Sequence, residues 1–481
     1  MITVKINERK FEYDIHSLIK AFFPKEEIKV VYKDEFNEAS DYEIRFLSDR
    51  FLFLDGNENV VNLVDIQDNA SRLDEKNAVK RLIYLALNKL TGKELVWGDL
   101  TGIRPTKIAR KMLDEGKSEE EIYRYMKDTY LVSDEKTELS IDIAKRERQI
   151  LAPLRKKGYS VYIGIPFCPT TCLYCSFTSN PIAMWRTKVN DYLSALEKEL
   201  IFTGRERAGL TIDTIYIGGG TPTSLSAEEL ERLLSSIDKH LDTSSLLEYT
   251  VEAGRADSIT VEKLKVLKKH GVTRISVNPQ TMNQKTLDLI GRRHTVSDVV
   301  RAFNDARETG FTNINMDIIL GLPGEDISEV SHTLEEIEKL KPDSFTVHSL
   351  AIKRGSRLYE HITELSYDTM INTEETMRLA AATAGNLSMK PYYLYRQKNM
   401  AGNFENTGYA TEGNFGLYNI LIMEELEPII AMGPGSVSKI ITPEGKLVRS
   451  DNVKDVSLYI DKIDEMLKRK EELFSLEKTG E

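Results

Sequence analysis

The spacing of apolar positions changes twice along the 481-residue chain, and each change marks a new kind of element. In residues 1–70 the runs ITVKI, EIKVVYK, YEIRFLS and FLFLD alternate or are rich in β-branched and aromatic residues, which predicts short strands with one helix among them. Residues 76–152 turn helical. Apolar residues recur at helical spacing from Asn77 to Leu90, and Pro105, after a turn at Gly102, suits the first turn of another helix. Ser118 and Glu121 spell a capping box before IYRYM. A periodic stretch from Asp134 to Ile150 stops at Pro153.

From Val161 the pattern changes again. The runs VYIGI, TIYI, LEYTVE, TRISV, NINMDII and SFTVHS alternate with amphipathic helical stretches as far as about residue 349. Six such units in series predict a parallel sheet with helices outside it. They are too few for a complete eight-unit barrel, so the expected fold is α/β, a partial (β/α)6 TIM-type barrel. An N-terminal α+β domain (1–152) is expected before the barrel (153–349) and an α+β extension (350–481) after it. Within that extension a helix is expected near Glu374–Leu387, followed by a Gly/Asn-rich stretch. The charged run from Lys454 to Lys478 is expected to be a mostly solvated helix.

Composition narrows the function. Hydrophobic residues are 41% and charged residues 29%, and no apolar run approaches the roughly 20 residues of a membrane helix. The N-terminus lacks the basic-then-apolar layout of a secretory signal, so a cytoplasmic location is expected. A net charge of -11 argues against nucleic acid or an anionic membrane as partner and leaves any anionic substrate to a local basic pocket.

The three cysteines, Cys168, Cys172 and Cys175, all fall in the segment IPFCPTTCLYC directly after the first barrel strand. An odd count so tightly spaced is not a disulfide framework. Three thiolates on one loop suit three irons of a [4Fe–4S] cube, leaving the fourth open to an external ligand such as S-adenosylmethionine (SAM). Structural zinc is the alternative, but its closed sites take four ligands, and the nearest histidine is the distant His240. Arg292, in Gly291-Arg292-Arg293-His294-Thr295, could pair with the SAM carboxylate through its planar fork or stand at an exposed helix end. Later strand ends carry polar or glycine-rich features, the place where barrel sites are built: Gly218-Gly219-Gly220-Thr221, Glu252, Gln280 and Asp317. Taken singly these are ordinary turn and cap residues; at successive strand ends they suit a nucleoside and an amino acid.

The cysteine loop resembles that of the radical SAM superfamily. IPFCPTTCLYC, GGGTPT, the Gln280–Arg292 spacing and DIILGLP resemble the oxygen-independent coproporphyrinogen III oxidase family. The later segments YYLYRQKNMAGNFENTGYA and PIIAMGPGS resemble its HemZ branch. The resemblance covers roughly residues 153–440. It implies a [4Fe–4S] cluster on Cys168, Cys172 and Cys175. It also implies a SAM site lined by Tyr162, Tyr174, Gly219, Gly220, Thr221, Glu252, Gln280, Arg292, Asp317, Ile319 and Val347, with Ile319 packed on adenine. Two positions depart from the HemN type: Phe177 replaces a cysteine and Gly164 a histidine. Residues 1–150 have no HemN counterpart.

The same resemblance implies a tetrapyrrole substrate, coproporphyrinogen III, and an electron donor such as flavodoxin or ferredoxin. Four propionates call for cationic anchors. Arg396, expected also to take part in catalysis with Tyr162, heads the candidates, with Lys398, Arg293 and the run Arg155–Lys157 behind it. Tyr392, Tyr393 and Tyr395 could flank a flat ring. Three readings compete: oxidative decarboxylation of coproporphyrinogen III, another radical SAM reaction that transfers a methyl group and opens haem, and HemW-like haem delivery without oxidase activity.

Overall fold

The alternating run ITVKI becomes strand β1 (Ile2–Ile6), the strand on which the N-terminal sheet is organised. A computed structural model describes residues 1–35, 38–155, 157–361, 365, 369–398 and 400–478. These divide into two compact units, Met1–Arg146 with Leu394–Glu405, and Glu147–Tyr393 with Asn406–Glu481. In the first unit β1 pairs in parallel with β2 (Ile28–Tyr32) and β3 (Tyr42–Phe46), and β4 (Arg50–Asp55) and β5 (Val60–Asp65) continue antiparallel from β3. Helices α1 (Glu12–Phe22) and α2 (Arg72–Thr91) lay Ile15, Leu18, Phe22, Leu82, Ile83 and Leu87 against Val4, Ile44 and Phe53. Each such side chain contributes roughly 1.5–3 kcal/mol by leaving water. Helix α2 starts at a Ser71–Asp74 capping box, and Ser118 and Glu121 form the expected box at Glu119–Tyr130. A second core gathers Trp97, Ala109, Ile122, Met126, Ile143 and Leu394.

The second unit is built on one sheet. Its strands in chain order are β6 (Gly158–Ile165), then the short pair β7 (Phe167–Cys168) and β8 (Asn180–Pro181) outside the sheet, then β9 (Thr211–Gly219), β10 (Glu248–Gly254), β11 (Arg274–Val277), β12 (Ile314–Leu320) and β13 (Ser344–Ser349). Strands β6, β9, β10, β11, β12 and β13 are neighbours in that order and all parallel. Helices Val189–Glu206, Ala227–His240, Val261–Lys269, Val296–Glu308 and Ile327–Leu340 return the chain between them. This is the partial (β/α)6 barrel, near-continuously apolar along its strands because both faces are covered.

The chain beyond the sixth unit extends both edges of that sheet. Beside β13 runs β15 (Asn406–Ala410), antiparallel, with β14 (Lys390–Tyr395) next to it. Beside β6 runs β16 (Ile429–Met432), parallel, followed by β17 (Val437–Ile441) and β18 (Leu447–Asp451). The C-terminal charged run is two helices, Val456–Asp461 and Ile463–Lys478, and it is more than a solvated face. Met466, Lys470 and Phe474 are buried. Lys470 donates to Glu199 and Asn452, and Glu199 also accepts from Tyr459 and from the backbone N–H of Gly433. A buried lysine is tolerated because a buried carboxylate receives it.

Candidate functional site

The site is assembled at the C-terminal ends of the six parallel strands. Tyr162 on β6 and Tyr216 on β9 are register partners, and Thr250 on β10 is the partner of Tyr216 on its other side. Two residues further along these strands lie Gly164, Gly218 and Glu252. A Cβ at Gly218 would stand 3.0 Å from Glu252 Oε2, so the glycine leaves the carboxylate its space. Gly219 takes φ 105°, open to glycine and strained for other residues. A Cβ at Gly220 would lie 2.5 Å from the Phe167 carbonyl and 3.0 Å from Cys168 Sγ. The glycine run therefore packs backbone directly against the start of the cysteine loop. Gly220 N donates to Ile165 O at 2.6 Å, Thr221 N to Phe167 O at 2.7 Å, and Thr221 Oγ1 to Cys168 Sγ at 3.4 Å.

The rest of the cysteine loop is clamped by two later loops. Leu173 N donates to Ile290 O, Thr170 Oγ1 to Gly291 O, and Leu358 N to Leu173 O. All three cysteines are unpaired thiols, with Cys168 and Cys172 buried and Cys175 half-buried. Burial, reinforced by the two neighbouring cysteines, pushes the Cys168 thiol up to about 12. Such a group holds its thiolate only in the presence of compensating positive charge, which is what iron supplies. Among the described residues no three His, Cys, Asp or Glu side chains gather about a single point as one ion would require. A cube places a different demand on them, one thiolate for each of three irons.

Glu252 lies within β10, Gln280 follows β11, Asp317 lies within β12, and Arg292, which is buried, follows the short helix Gln284–Leu289; two of the four carry buried atoms without a protein partner. Gln280 Oε1 is one; its residue sits at φ 68° and bridges to β12 through backbone bonds with Asp317 and Ile319. Arg292 Nε is the other, while the same guanidinium donates to Asn278 O and to the Tyr174 hydroxyl. An orphaned acceptor beside β12 and an orphaned charged donor tied to the cysteine loop through Tyr174 fit an amino acid-nucleoside ligand that brings the missing partners. Glu252 accepts the Tyr216 hydroxyl; burial, against that bond, pushes its carboxyl up to about 7. Burial also works against Asp317, but contacts from His348, Asn315 and Thr346 outweigh it and lower its pKa. Ile319 is buried at the end of β12, and Val347, inside β13, has its side chain in the sheet's core.

Three residues that strand-end reading does not single out complete this region. Tyr418 stacks on Tyr216 at 4.4 Å and lies parallel to Tyr162 at 6.3 Å. His348 faces Asp317 at 3.8 Å. Arg255 reaches the cysteine loop from the end of β10. Arg255 and His348 each stand one residue beyond a strand end or expected site residue, a signal that could have found them; nothing local marks Tyr418.

The expected substrate anchors fare differently. Arg396 belongs to the N-terminal unit and is 6% exposed; its guanidinium donates to Leu100 O and Asn403 Oδ1 and lies over Trp97. Those bonds commit it to the interior of that unit, away from any dissolved propionate. Lys398 lies over the Tyr13 ring. Arg155 is tied to Asp213 and Ser245 O, and Lys156 lies outside the described residues. Tyr392 and Tyr393 are buried core residues; Tyr393 packs where Gly408 has no side chain, and Tyr395 is half-buried. Arg293 is exposed at the loop after β11, and half-buried Lys353, after β13, lies 5.4 Å over the ring of Phe177, itself 69% exposed. At Gly164 a Cβ would press on the Tyr162 ring at 3.3 Å and approach Met432 O at 3.5 Å, so β16 and Tyr162 fill the space a histidine would need.

Residues 162–337 match the radical SAM superfamily. Over 419 residues, 84% of this chain and 84% of the relative, the sequence is 42% identical to the oxygen-independent coproporphyrinogen-III oxidase-like protein HemZ of Bacillus subtilis. The heme chaperone HemW of the same organism is 42% identical over 201 residues, 42% of this chain and 52% of the relative. Among solved structures, coproporphyrinogen III oxidase (HemN) from Escherichia coli superposes with a TM-score of 0.51 at 22% identity, over 66% of this chain and 72% of that one. At that identity the likeness is one of fold.

Proposed function

This chain belongs to the radical SAM superfamily and, within it, to the family of the oxygen-independent coproporphyrinogen-III oxidase-like protein HemZ, and on that premise we propose that it oxidatively decarboxylates coproporphyrinogen III to protoporphyrinogen IX. The cofactors of the superfamily are a [4Fe–4S] cluster and SAM. Bound together, they supply a 5′-deoxyadenosyl radical, an agent that abstracts hydrogen atoms. The observation that carries the substrate is the 42% identity that runs through 84% of both chains, well beyond the barrel that the wider superfamily shares.

In this reading Cys168, Cys172 and Cys175 hold the cluster. Glu252 receives the amino group of SAM and Arg292 its carboxylate through a planar fork. Gly219, Gly220 and Thr221 lie along the methionine part, with Tyr162 and Tyr174 beside it. Gln280 and Asp317 take ribose hydroxyls, the backbone at Val347 completes the polar contacts, and Ile319 packs on adenine. Each propionate to be converted would give up a hydrogen atom from the carbon β to its carboxylate, then release CO2 and pass one electron to a one-electron acceptor, leaving a vinyl group. The chain's part is to hold that carbon in reach and keep water away. With Arg396 enclosed, exposed Arg293, next to Arg292, and Lys353, over the Phe177 ring, are the cations proposed to meet propionates. Three unpaired cysteines suit a cytoplasmic setting, where a flavodoxin- or ferredoxin-type donor would deliver the electron.

Anaerobic turnover of the reconstituted protein with SAM and coproporphyrinogen III, followed by mass spectrometry, tests the proposal. Loss of two carboxyl groups with 5′-deoxyadenosine formation is expected, and Arg293→Ala and Lys353→Ala should slow it while sparing SAM cleavage without substrate. SAM cleavage with no carboxyl loss overturns the oxidase. The second reading, haem delivery, draws on the equal identity to HemW over 201 residues. Stable haem binding without turnover would favour it.

A further inference from the structure

Arg255 is 2% exposed and its guanidinium is fixed from two sides. On one side Nε and Nη2 form the two-pronged pair with Asp257, at 3.0 and 2.7 Å. On the other, Nη1 donates to Thr170 O at 3.0 Å and to Thr170 Oγ1 at 2.7 Å, and the same nitrogen stands 3.7 Å from Cys172 Sγ. Asp257 lies 3.6 Å from His294 Nδ1, and the Thr170 hydroxyl donates to Gly291 O. Three loops thus converge to aim one permanent positive charge at one cysteine sulfur. The strand-end expectations give this arginine no part, and ion pairing with Asp257 alone would not require it to cross to the cysteine loop.

We propose that Arg255 tunes the cysteine-bound cluster, its guanidinium donating to the sulfur of Cys172 and raising the reduction potential. Reduction brings one electron and no proton to the cluster, so the added negative charge stays within the thiolate-bound unit. A buried cation in contact with that unit stabilises the reduced state more than the oxidised one. Asp257 opposes the effect by sharing the guanidinium charge, and Arg292, which donates to the hydroxyl of Tyr174 in the same loop, adds to it. The inference rests on the cluster and not on the substrate; an oxidase and a haem carrier built on this site would show it alike.

The test is a redox titration of the full-length reconstituted protein, followed by electron paramagnetic resonance in the absence of SAM, with iron and sulfide content matched between variants. Arg255→Met should lower the midpoint, so that the ratio of reduced to oxidised cluster at a fixed potential falls about tenfold, equal to about 59 mV for one electron. Asp257→Asn, which leaves the guanidinium charge uncompensated, should move the midpoint upward. A role in packing alone would not shift the two variants in opposite directions. Unchanged midpoints in both, or shifts of the same sign, overturn the proposal. If Arg255→Met takes up no cluster, Asp257→Asn decides by itself, a raised midpoint supporting the proposal and an unchanged or lowered one overturning it. A wild-type chain that binds no iron and sulfide overturns it together with the cofactor. Absence of coproporphyrinogen turnover leaves the titration, and so this test, as it was.

Discussion

Tyr216 donates its hydroxyl to the carboxylate of Glu252 on the adjacent strand, and its ring is stacked against Tyr418. The acid proposed to receive the amino group of SAM is therefore held by a side chain that no motif contains. Its carboxyl, pushed by burial up to about 7, titrates within the working range. Only the charged form pairs with an ammonium group. SAM affinity should accordingly fall as pH drops through about 7. Tyr216→Phe removes a bond that favours the charged form and should move the fall to higher pH. Anaerobic calorimetry between pH 6 and 7.5 checks both; identical profiles for the two proteins would show that Tyr216 does not govern Glu252. Arg292→Ala should weaken SAM at any pH, by about thirty-fold to several hundred-fold, as expected when one partner of a buried charged contact is removed.

Gly220→Ala puts a methyl group within 2.5 Å of the Phe167 carbonyl and 3.0 Å of Cys168 Sγ, neither of which can move without displacing the first cysteine. Cluster absorbance and iron content should be lost nearly as fully as in Cys168→Ala, Cys172→Ala or Cys175→Ala. Gly385→Ala, where a methyl group meets open space in a helix, is the control and should load normally.

A second buried acid sits at the other end of the barrel strands. Glu427 accepts from Ser160 on β6 and stands beside Asp213, which takes Arg155. Burial, reinforced by the Asp213 carboxyl, pushes Glu427 up to about 8. The folded state thus keeps a proton that the unfolded state releases near the ordinary carboxylate range. Where the folded state binds more protons, stability falls as pH rises, here from about 4.5 toward about 8. Glu427→Gln keeps the neutral form at all pH and should flatten that decline, as read by denaturant unfolding at pH 5, 6.5 and 8. A decline equally steep in the variant would place its origin elsewhere.

Arg396→Ala should destabilise rather than impair catalysis directly. It strips the buried Leu100 carbonyl and the part-buried Asn403 carbonyl of a charged donor, a loss of about 2–3 kcal/mol. Unfolding followed by tryptophan fluorescence, with Trp97 packed on this arginine, should shift to lower denaturant while cluster content and SAM affinity of the folded protein stay at wild-type levels. Loss of turnover without loss of stability would restore the arginine to the substrate.

What could be read from the sequence is what neighbours in the chain dictate. Ser118 and Glu121 cap their helix because the groups they satisfy lie within one turn. Three cysteines within eight residues must share a loop, and the alternation of strand and helix leaves few ways to lay six parallel strands. Glycines before a threonine signal a tight approach, although not to what. The sequence thus sufficed for the barrel and the order of its six parallel strands.

Tertiary structure decided what long-range contact decides. Lys470 lies in a run, KRKEE, that reads as solvated, yet it is 1% exposed because Glu199, 271 residues earlier, is buried where its ammonium group arrives. Arg396 reads as a free cation and is instead enclosed by Trp97, Leu100 and Asn403. Tyr418 joins Tyr162 and Tyr216 only because a segment beyond the sixth unit folds back onto the sheet, and Arg255 meets Cys172 across 83 residues of chain. Whether a charge faces water or a partner depends on which surfaces meet, and the spacing of residues along a strand or helix carries no record of that.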